Sequence, residues 1–537
     1  MSLAQISLSL GGSVALYVLY KAYGALHRDF TSPIRDLPGL SSTNIFIGNM
    51  KDMMFMDQAA VHERHAKEHG TTFKFKAVLW DNWLFTADVK AISHIVKKDT
   101  GTWRKPMAMA YNLLRLLGPG IVLVDSDVHK KQRKILNPAF SPPEIKRFTA
   151  TFLDKAVRLR DIWTNQIQQA DGEQRQIDVL SWLSRTTLDV IGEAGFGYKF
   201  DALNEEPDQP NELHDAFKIM FKVGTSPSVV RLLRGLIPAT RFLSAERDIE
   251  TDKARGTMDR IGKQLLTERE LAFDPAHPEK SDSGANDLLS LLVRANASGE
   301  KQHRLPEEQV LAQIPTFIVA GHETTSTATA WALYSLSQNS AIQRKLRDEL
   351  LDVPSENPNM DELNALPYLD AVIRETLRFH SPVPSTVRVA AEDDVIPLQN
   401  PVVDKNGKVH HEIHVTKGQT VFISLAMVNR LEEIWGKDAG EFNPERWKSP
   451  PDAAMSIPGV WGNQLTFFGG PRSCIGYRFS LLEMKALLFT LVRAFEFELA
   501  VPVSDIITRS EIVSRPVLRT DPKGTNLLPM LIRPVAL

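Results

Sequence analysis

FFGGPRSCIGYRFS, running from Phe467 to Ser480, holds the single cysteine of the chain, Cys474, and its reading decides the rest. It continues into Leu481, Leu482, Met484, Leu487 and Leu488 at helical spacing, so the cysteine sits in a tight turn just before a helix. Gly469, Gly470 and Gly476 remove side chains where the backbone must bend and where a flat ligand would need close approach. Backbone N–H groups at the start of the helix favour a thiolate over a thiol, and a coordinated metal would deprotonate the sulfur outright. Arg472, two residues earlier, offers a fork of donors suited to a carboxylate. The plainer reading is a buried structural cysteine, the usual fate of a free thiol, but such a residue needs neither three glycines nor an arginine around it.

Working outward, 43% of the 537 residues are hydrophobic and 24% are charged, the balance of an ordinary globular protein with a large core. No Gly/Ser-rich or Pro-rich linker divides the chain, which reads as one large domain. A formal net charge of -2 supplies no basic field for nucleic acid. One cysteine cannot form an internal disulfide, which suits a cytosol-facing protein.

Ile6 to Tyr20 is apolar or small throughout, and the first charge is Lys21. At about 1.5 Å per residue a membrane span wants roughly 20 residues, so this stretch reaches across if Tyr17, Tyr20 and Tyr23 lie at the interface and Lys21 snorkels. A cleaved signal peptide would carry its positive charge before the apolar run. Here Lys21, His27 and Arg28 follow it, which predicts an anchor with the remainder on the cytosolic side and a stiff hinge at Pro33 and Pro38. Residues 1–31 are thus expected to be anchor and hinge, and 32–537 one catalytic domain.

From about Val61 to Phe85, apolar runs around Phe73, Phe75 and Trp80 suggest a small sheet, after which helical periodicity dominates. Val402 to Ile423 has β-branched residues either side of Asp404-Lys405-Asn406-Gly407, a hairpin signal. Ala272 to Asn286, rich in Pro, Asp, Ser and Gly, reads as a surface loop. His410, His411 and His414 lie on the hairpin without acid or cysteine at ligand spacing and read as surface residues.

Three further segments stand out. AGHETT, Ala320 to Thr325, interrupts an almost continuously apolar helix from Val310 to Leu336 opened by Glu307 and Glu308. A glycine there costs about 1 kcal/mol relative to alanine, and threonine can pull on the i-4 carbonyl. Such a defect can open a pocket beside a ligand. ETLR, Glu375 to Arg378, puts two opposite charges on one helical face. Asp127 to Ser141 places His129 and Arg133 four apart, with Lys130, Lys131 and Lys134 elsewhere on that helix.

F-x-x-G-x-R-x-C-x-G is met from Phe467 to Gly476 without a mismatch, and with the other segments in order the chain resembles the cytochrome P450 superfamily of haem-thiolate monooxygenases, fungal microsomal members most of all. The resemblance implies a mainly α fold with a small β-rich lobe, haem b lying between the Ala320 helix and the Cys474 loop, and Cys474 as the iron ligand. It implies that Gly321 lets dioxygen sit against the helix, while Glu323 and Thr324 relay protons. Arg472, Arg133, His129 and Arg388 are implied propionate partners, His129 standing where many relatives have tryptophan. Phe467, Gly476 and Ala320 complete the implied haem contacts. Glu375, Arg378 and Arg446, the last within FNPERW (Phe442 to Trp447), are implied to form a buried structural triad under the cysteine loop.

The reaction implied is insertion of one oxygen atom from dioxygen into a hydrophobic substrate: terpenoid, steroid, fatty acyl or aromatic. NADPH electrons would come from a separate NADPH-cytochrome P450 reductase, with cytochrome b5 as a second candidate donor, at the endoplasmic reticulum membrane. Substrate contacts would come from Lys105 to Val122, Phe217 to Leu236, Pro315 to Thr324, Val383 to Val387 and Ile506 to Ile512. The rivals are a haem-thiolate isomerase or dehydratase acting on peroxides, against which the Glu323-Thr324 pair argues, and a non-catalytic haem sensor or carrier.

Overall fold

A computed structural model describes residues 30–42, 44, 46–99, 101–170, 172–204, 211–225, 229–236, 240–242, 248–272, 287–298, 304–521 and 524–535, with positions 12, 16, 20 and 24 before them. The expected anchor from Ile6 to Tyr20 lies outside the described residues apart from Gly12, Leu16 and Tyr20, as does nearly all of the expected loop from Ala272 to Asn286. Among the described residues no helix is long and apolar enough to cross a membrane.

Two hydrophobic cores divide the molecule. The smaller is the β-rich lobe. Its five-stranded sheet runs β1 (Thr72–Lys76), β2 (Asn82–Thr86), β8 (Thr420–Ser424), β5 (Ser385–Ala390) and β3 (Trp103–Arg104) in spatial order. Phe73 stacks on Phe85 at 4.4 Å, and Phe85 on Phe422 at 6.0 Å, joining early and late strands through aromatic faces. The early sheet starts later than the apolar pattern suggests. Asp57 caps a helix at Gln58–His69 by accepting from the Ala60 N–H, so Val61 is helical and the strand begins at Thr72. The late hairpin forms as its turn residues dictate: β6 (Asp394–Val403) pairs antiparallel with β7 (Val409–Val415), and Gly407 takes φ +79. His410 lies against Asp404 at 2.9 Å.

Helices make the larger core. The Ala320 helix spans Gln313–Ser337, a residue after the short helix Glu307–Leu311, and most of its side chains are buried. Gly321 lets it come close to the helix Val179–Phe196: a Cβ there would lie 3.1 Å from Ile191 Cδ1. Closing this body are a sheet of β4 (Arg175–Asp178), β12 (Pro529–Pro534) and β9 (Phe495–Leu499), and the hairpin β10 (Ile506–Ser510) with β11 (Ser514–Leu518).

The Glu375–Arg378 pair sits on the helix Pro367–Phe379 with both side chains wholly buried. Arg378 grips Glu375 through two hydrogen bonds of 2.8 Å and donates to the carbonyls of Asn429, Ala439 and Glu441 at 2.8–2.9 Å. Arg446 Nε comes within 3.6 Å of Glu375, while its terminal nitrogens bond Trp435 O and Asp438. From this helix the Leu377 carbonyl accepts from Thr466 Oγ1 at 2.6 Å, which fixes the chain one residue before Phe467. The triad therefore acts on the cysteine loop through the backbone that leads into it.

Candidate active site

The loop closes on itself where the Cys474 N–H donates to the Phe467 carbonyl at 2.9 Å, and the helix Tyr477–Ala494 starts three residues later. Phe467 is held edge-on by Trp461 at 5.8 Å. Phe468 takes φ +54 and Gly470 φ +63. A Cβ on Gly469 would lie 1.7 Å from the Pro458 carbonyl oxygen, and one on Gly470 2.6 Å from Val96. These two glycines accommodate the protein's own backbone and Val96, so close approach of a ligand is not what requires them.

The Cys474 side chain is exposed, while the protein packed around it pushes its thiol above the ordinary value. The Gly476 N–H and the Arg133 charge pull the other way without prevailing, which corrects the expectation that the helix N-terminus alone favours a thiolate. A bound cation would favour the ionised sulfur.

The Ala320 helix is the second wall of the candidate site, joined to the Cys474 loop through Phe140. Ala320 is exposed and Val319, Gly321 and Thr324 are half-buried within an otherwise buried element. Phe140 ties the two walls together: its ring meets Phe317, one turn before Ala320, at 5.6 Å, and its edge lies 3.7 Å from where a Gly476 Cβ would stand. The missing Cβ of Gly321 faces Ile191, so the glycine serves helix packing and the opening is at Ala320 and Thr324. Thr324 Oγ1 donates to the Ala320 carbonyl at 2.7 Å, the i-4 bond anticipated for a threonine here.

Glu323 is buried, and burial lifts its carboxyl to about 7 against the pull of Arg515, with which it forms an ion pair. His322, the variable residue of the motif, is held neutral by burial with its pKa near 3, and it meets Ser184 Oγ at 2.9 Å.

Beside the cysteine lies a cluster of charge that only partly matches expectation. Arg133 donates to the carbonyl of Ser473 and, at 2.8 Å, to Asn137 Oδ1. Arg472 pairs with Asp125 and donates to the carbonyls of Asp99 and Val124 at 3.0 and 3.1 Å. Arg388 clamps Asp99, one bond being 3.0 Å, and bonds Thr386 and Val387 O at 2.8 and 3.0 Å. His129 is buried with Nδ1 unbonded, and burial, aided by Arg472, Lys105, Arg133 and Arg388, lowers its pKa to about 3. Lys105, Asp99 and Asp125 belong to this cluster and were not picked out as charge partners in the sequence. Burial, with Arg472 and Arg388 nearby, brings the Lys105 ammonium down to about 7.

Three cations, Lys105, Arg388 and Arg472, thus share two carboxylates, Asp99 and Asp125, and a fourth, Arg133, acts with them on His129 in one partly desolvated region. Excess buried positive charge is costly without anions. A flat dicarboxylate cofactor with a metal centre would supply two anions here, a cation at Cys474 and an apolar face against Ala320, so the residues present fit haem.

The sequence model of the Cytochrome P450 family matches residues 38–520. The chain is 48% identical to Cytochrome P450 monooxygenase 205 of Postia placenta over 98% of both chains, and 35% identical to Cytochrome P450 monooxygenase claP of Ampulloclitocybe clavipes over 94% of both. It is 33% identical to a ganoderic acid synthetase of Ganoderma lucidum over 93% of both. Similarity of that length and degree shows that the chain belongs to the cytochrome P450 family, as a haem-dependent monooxygenase.

Proposed function

We propose that this monooxygenase inserts one oxygen atom from dioxygen into a hydrophobic small molecule of the terpenoid, steroid, fatty acyl or aromatic kind. The observation that carries the reading is the exposed Cys474 in its loop and the exposed Ala320 turn of an otherwise buried helix, two elements joined through Phe140. Bound haem supplies the iron that activates dioxygen.

The chain's own residues do the rest. Cys474 is the thiolate ligand, and Arg133, bonded to the Ser473 carbonyl, keeps positive charge beside it. The Lys105, Arg133, His129, Arg388 and Arg472 cluster receives the two propionates, Asp99 and Asp125 fixing the arginine forks. Ala320 presents a flat apolar face, Thr324 Oγ1 offers a hydroxyl at its edge, and Glu323, with a pKa near 7, stores or yields a proton one residue away. Phe317 and Phe217 help exclude water, the latter edge-on to His322 at 5.3 Å. The apolar side chains of Phe317, Val319 and Ala320 along this helix suit an apolar substrate.

Electrons come from NADPH through a separate reductase, with cytochrome b5 as an additional donor, and Lys130 and Lys134, exposed on the helix that carries Arg133, suit an acidic partner. The apolar Ile6 to Tyr20 segment supports an endoplasmic reticulum anchor with the catalytic domain in the cytosol. Turnover with reductase, NADPH and oxygen-18 gas tests the reading: a product carrying one labelled atom is expected. Unlabelled product formed without NADPH would overturn it in favour of a peroxide rearrangement.

A further inference from the structure

Arg515 comes from β11, almost two hundred residues beyond Glu323, and is buried to 4% exposure. The hairpin that carries it is fixed to the Ala320 helix at a second point. Trp331 Nε1 donates to the Ser514 carbonyl at 2.9 Å, while the Ser514 N–H donates to the Pro382 carbonyl at 2.8 Å. Trp331 lies eight residues, about 12 Å, along the helix from Glu323, so two anchors set the hairpin's angle and deliver the guanidinium to one place. Glu511, at the turn of the same hairpin, reaches Arg515 at 3.5 Å.

We propose that Arg515 is a positioning residue for oxygen activation: from the β10–β11 hairpin it holds the Glu323 carboxylate beside Thr324 and, in competition with Glu511, sets when that carboxylate is released to take up and pass on a proton. The role rests on the monooxygenase reading above. The charged groups acting on Glu323 are Arg515, which favours the ionised form, and Glu511, which opposes it. Residues Ile506 to Ile512 are expected to touch substrate, so this hairpin ties the substrate side of the site to the proton-bearing acid.

The test is a pH titration of the haem-loaded enzyme by infrared difference spectroscopy, following the protonated-carboxyl band that Glu323→Gln removes. Arg515→Gln should move its midpoint upward by about 1–3 pH units, the effect of losing one adjacent opposite charge. Glu511→Gln should move it downward, and Arg515→Lys should restore most of the Arg515→Gln shift. The ratio of product to NADPH consumed should follow the same midpoints. If Arg515→Gln does not fold, the downward shift in Glu511→Gln carries the test alone. Midpoints unmoved in every folded variant overturn the role of Arg515 while leaving the monooxygenase reading intact. A histidine-type carbon monoxide spectrum from the same samples overturns that reading itself.

Discussion

Replacing Lys105 by glutamine should change how haem binding depends on pH. In the absence of anions the ammonium is held near pKa 7, chiefly by burial and then by Arg472 and Arg388. Each carboxylate arriving within a few ångströms raises a cation's pKa by roughly 1–3 units, so two propionates return Lys105 to about 9 or above. Between about pH 7 and 9, haem binding therefore takes up one proton at Lys105. The Cys474 thiol, raised by burial, releases one on coordination. Below about pH 7 only the release operates, and apparent affinity climbs about tenfold per pH unit. Above it, uptake cancels release and the curve is flat. His129, with its pKa near 3, and the arginines stay out of this window. In Lys105→Gln the release acts alone, so affinity starts about a hundredfold lower at pH 7 and keeps climbing, closing that gap over two pH units. Competitive transfer of haem to an excess of an apoglobin, at fixed ionic strength from about pH 6 to 9, measures it. A plateau in Lys105→Gln as in the parent, or an unbroken climb in the parent, would refute the charge balance drawn from the cluster.

Thr324→Ala should retain haem and its spectrum but divert NADPH electrons to peroxide, lowering product per NADPH by roughly tenfold or more; peroxide assay beside product quantitation checks this. Arg378→Met removes two hydrogen bonds and the buried counter-charge from the Glu375 carboxylate, which keeps Asn443 and Trp447, and takes their donor from the carbonyls of Asn429, Ala439 and Glu441. A broken buried pair costs about 3–5 kcal/mol, against a total stability of about 5–15 kcal/mol, so thermal unfolding and haem content should both collapse. Gly469→Ala drives a methyl into the Pro458 carbonyl and should abolish folded, thiolate-ligated protein, whereas Gly476→Ala, meeting Phe140 at an ordinary 3.7 Å, should leave the chain folded.

Much of the fold was legible because its signals are local. The Asp404–Gly407 turn, the apolar run around Ala320 and the i, i+3 charges of Glu375 and Arg378 each declare their element within a few residues. The start of the first sheet was misplaced because the Asp57 cap that makes Val61 helical depends on one side chain. In the site, the cysteine, the threonine and the triad could be read from spacing and resemblance. Lys105, Asp99, Asp125 and Arg515 could not, because each acts through a partner brought near only by the tertiary fold, as Arg388 meets Asp99 across 289 positions. The loop glycines carry two readings, a backbone bend, which Gly470 makes at φ +63, and room for a ligand, which sequence cannot tell from room for Pro458 or, at Gly321, for Ile191.

The central claim is that Cys474 holds the iron. The carbon monoxide difference spectrum of the dithionite-reduced holoprotein tests it most directly, recorded beside Cys474→Ser. A thiolate-type Soret band in the parent and its loss in the serine variant are predicted. A histidine-type band in the parent, or a spectrum unchanged in Cys474→Ser, would contradict it.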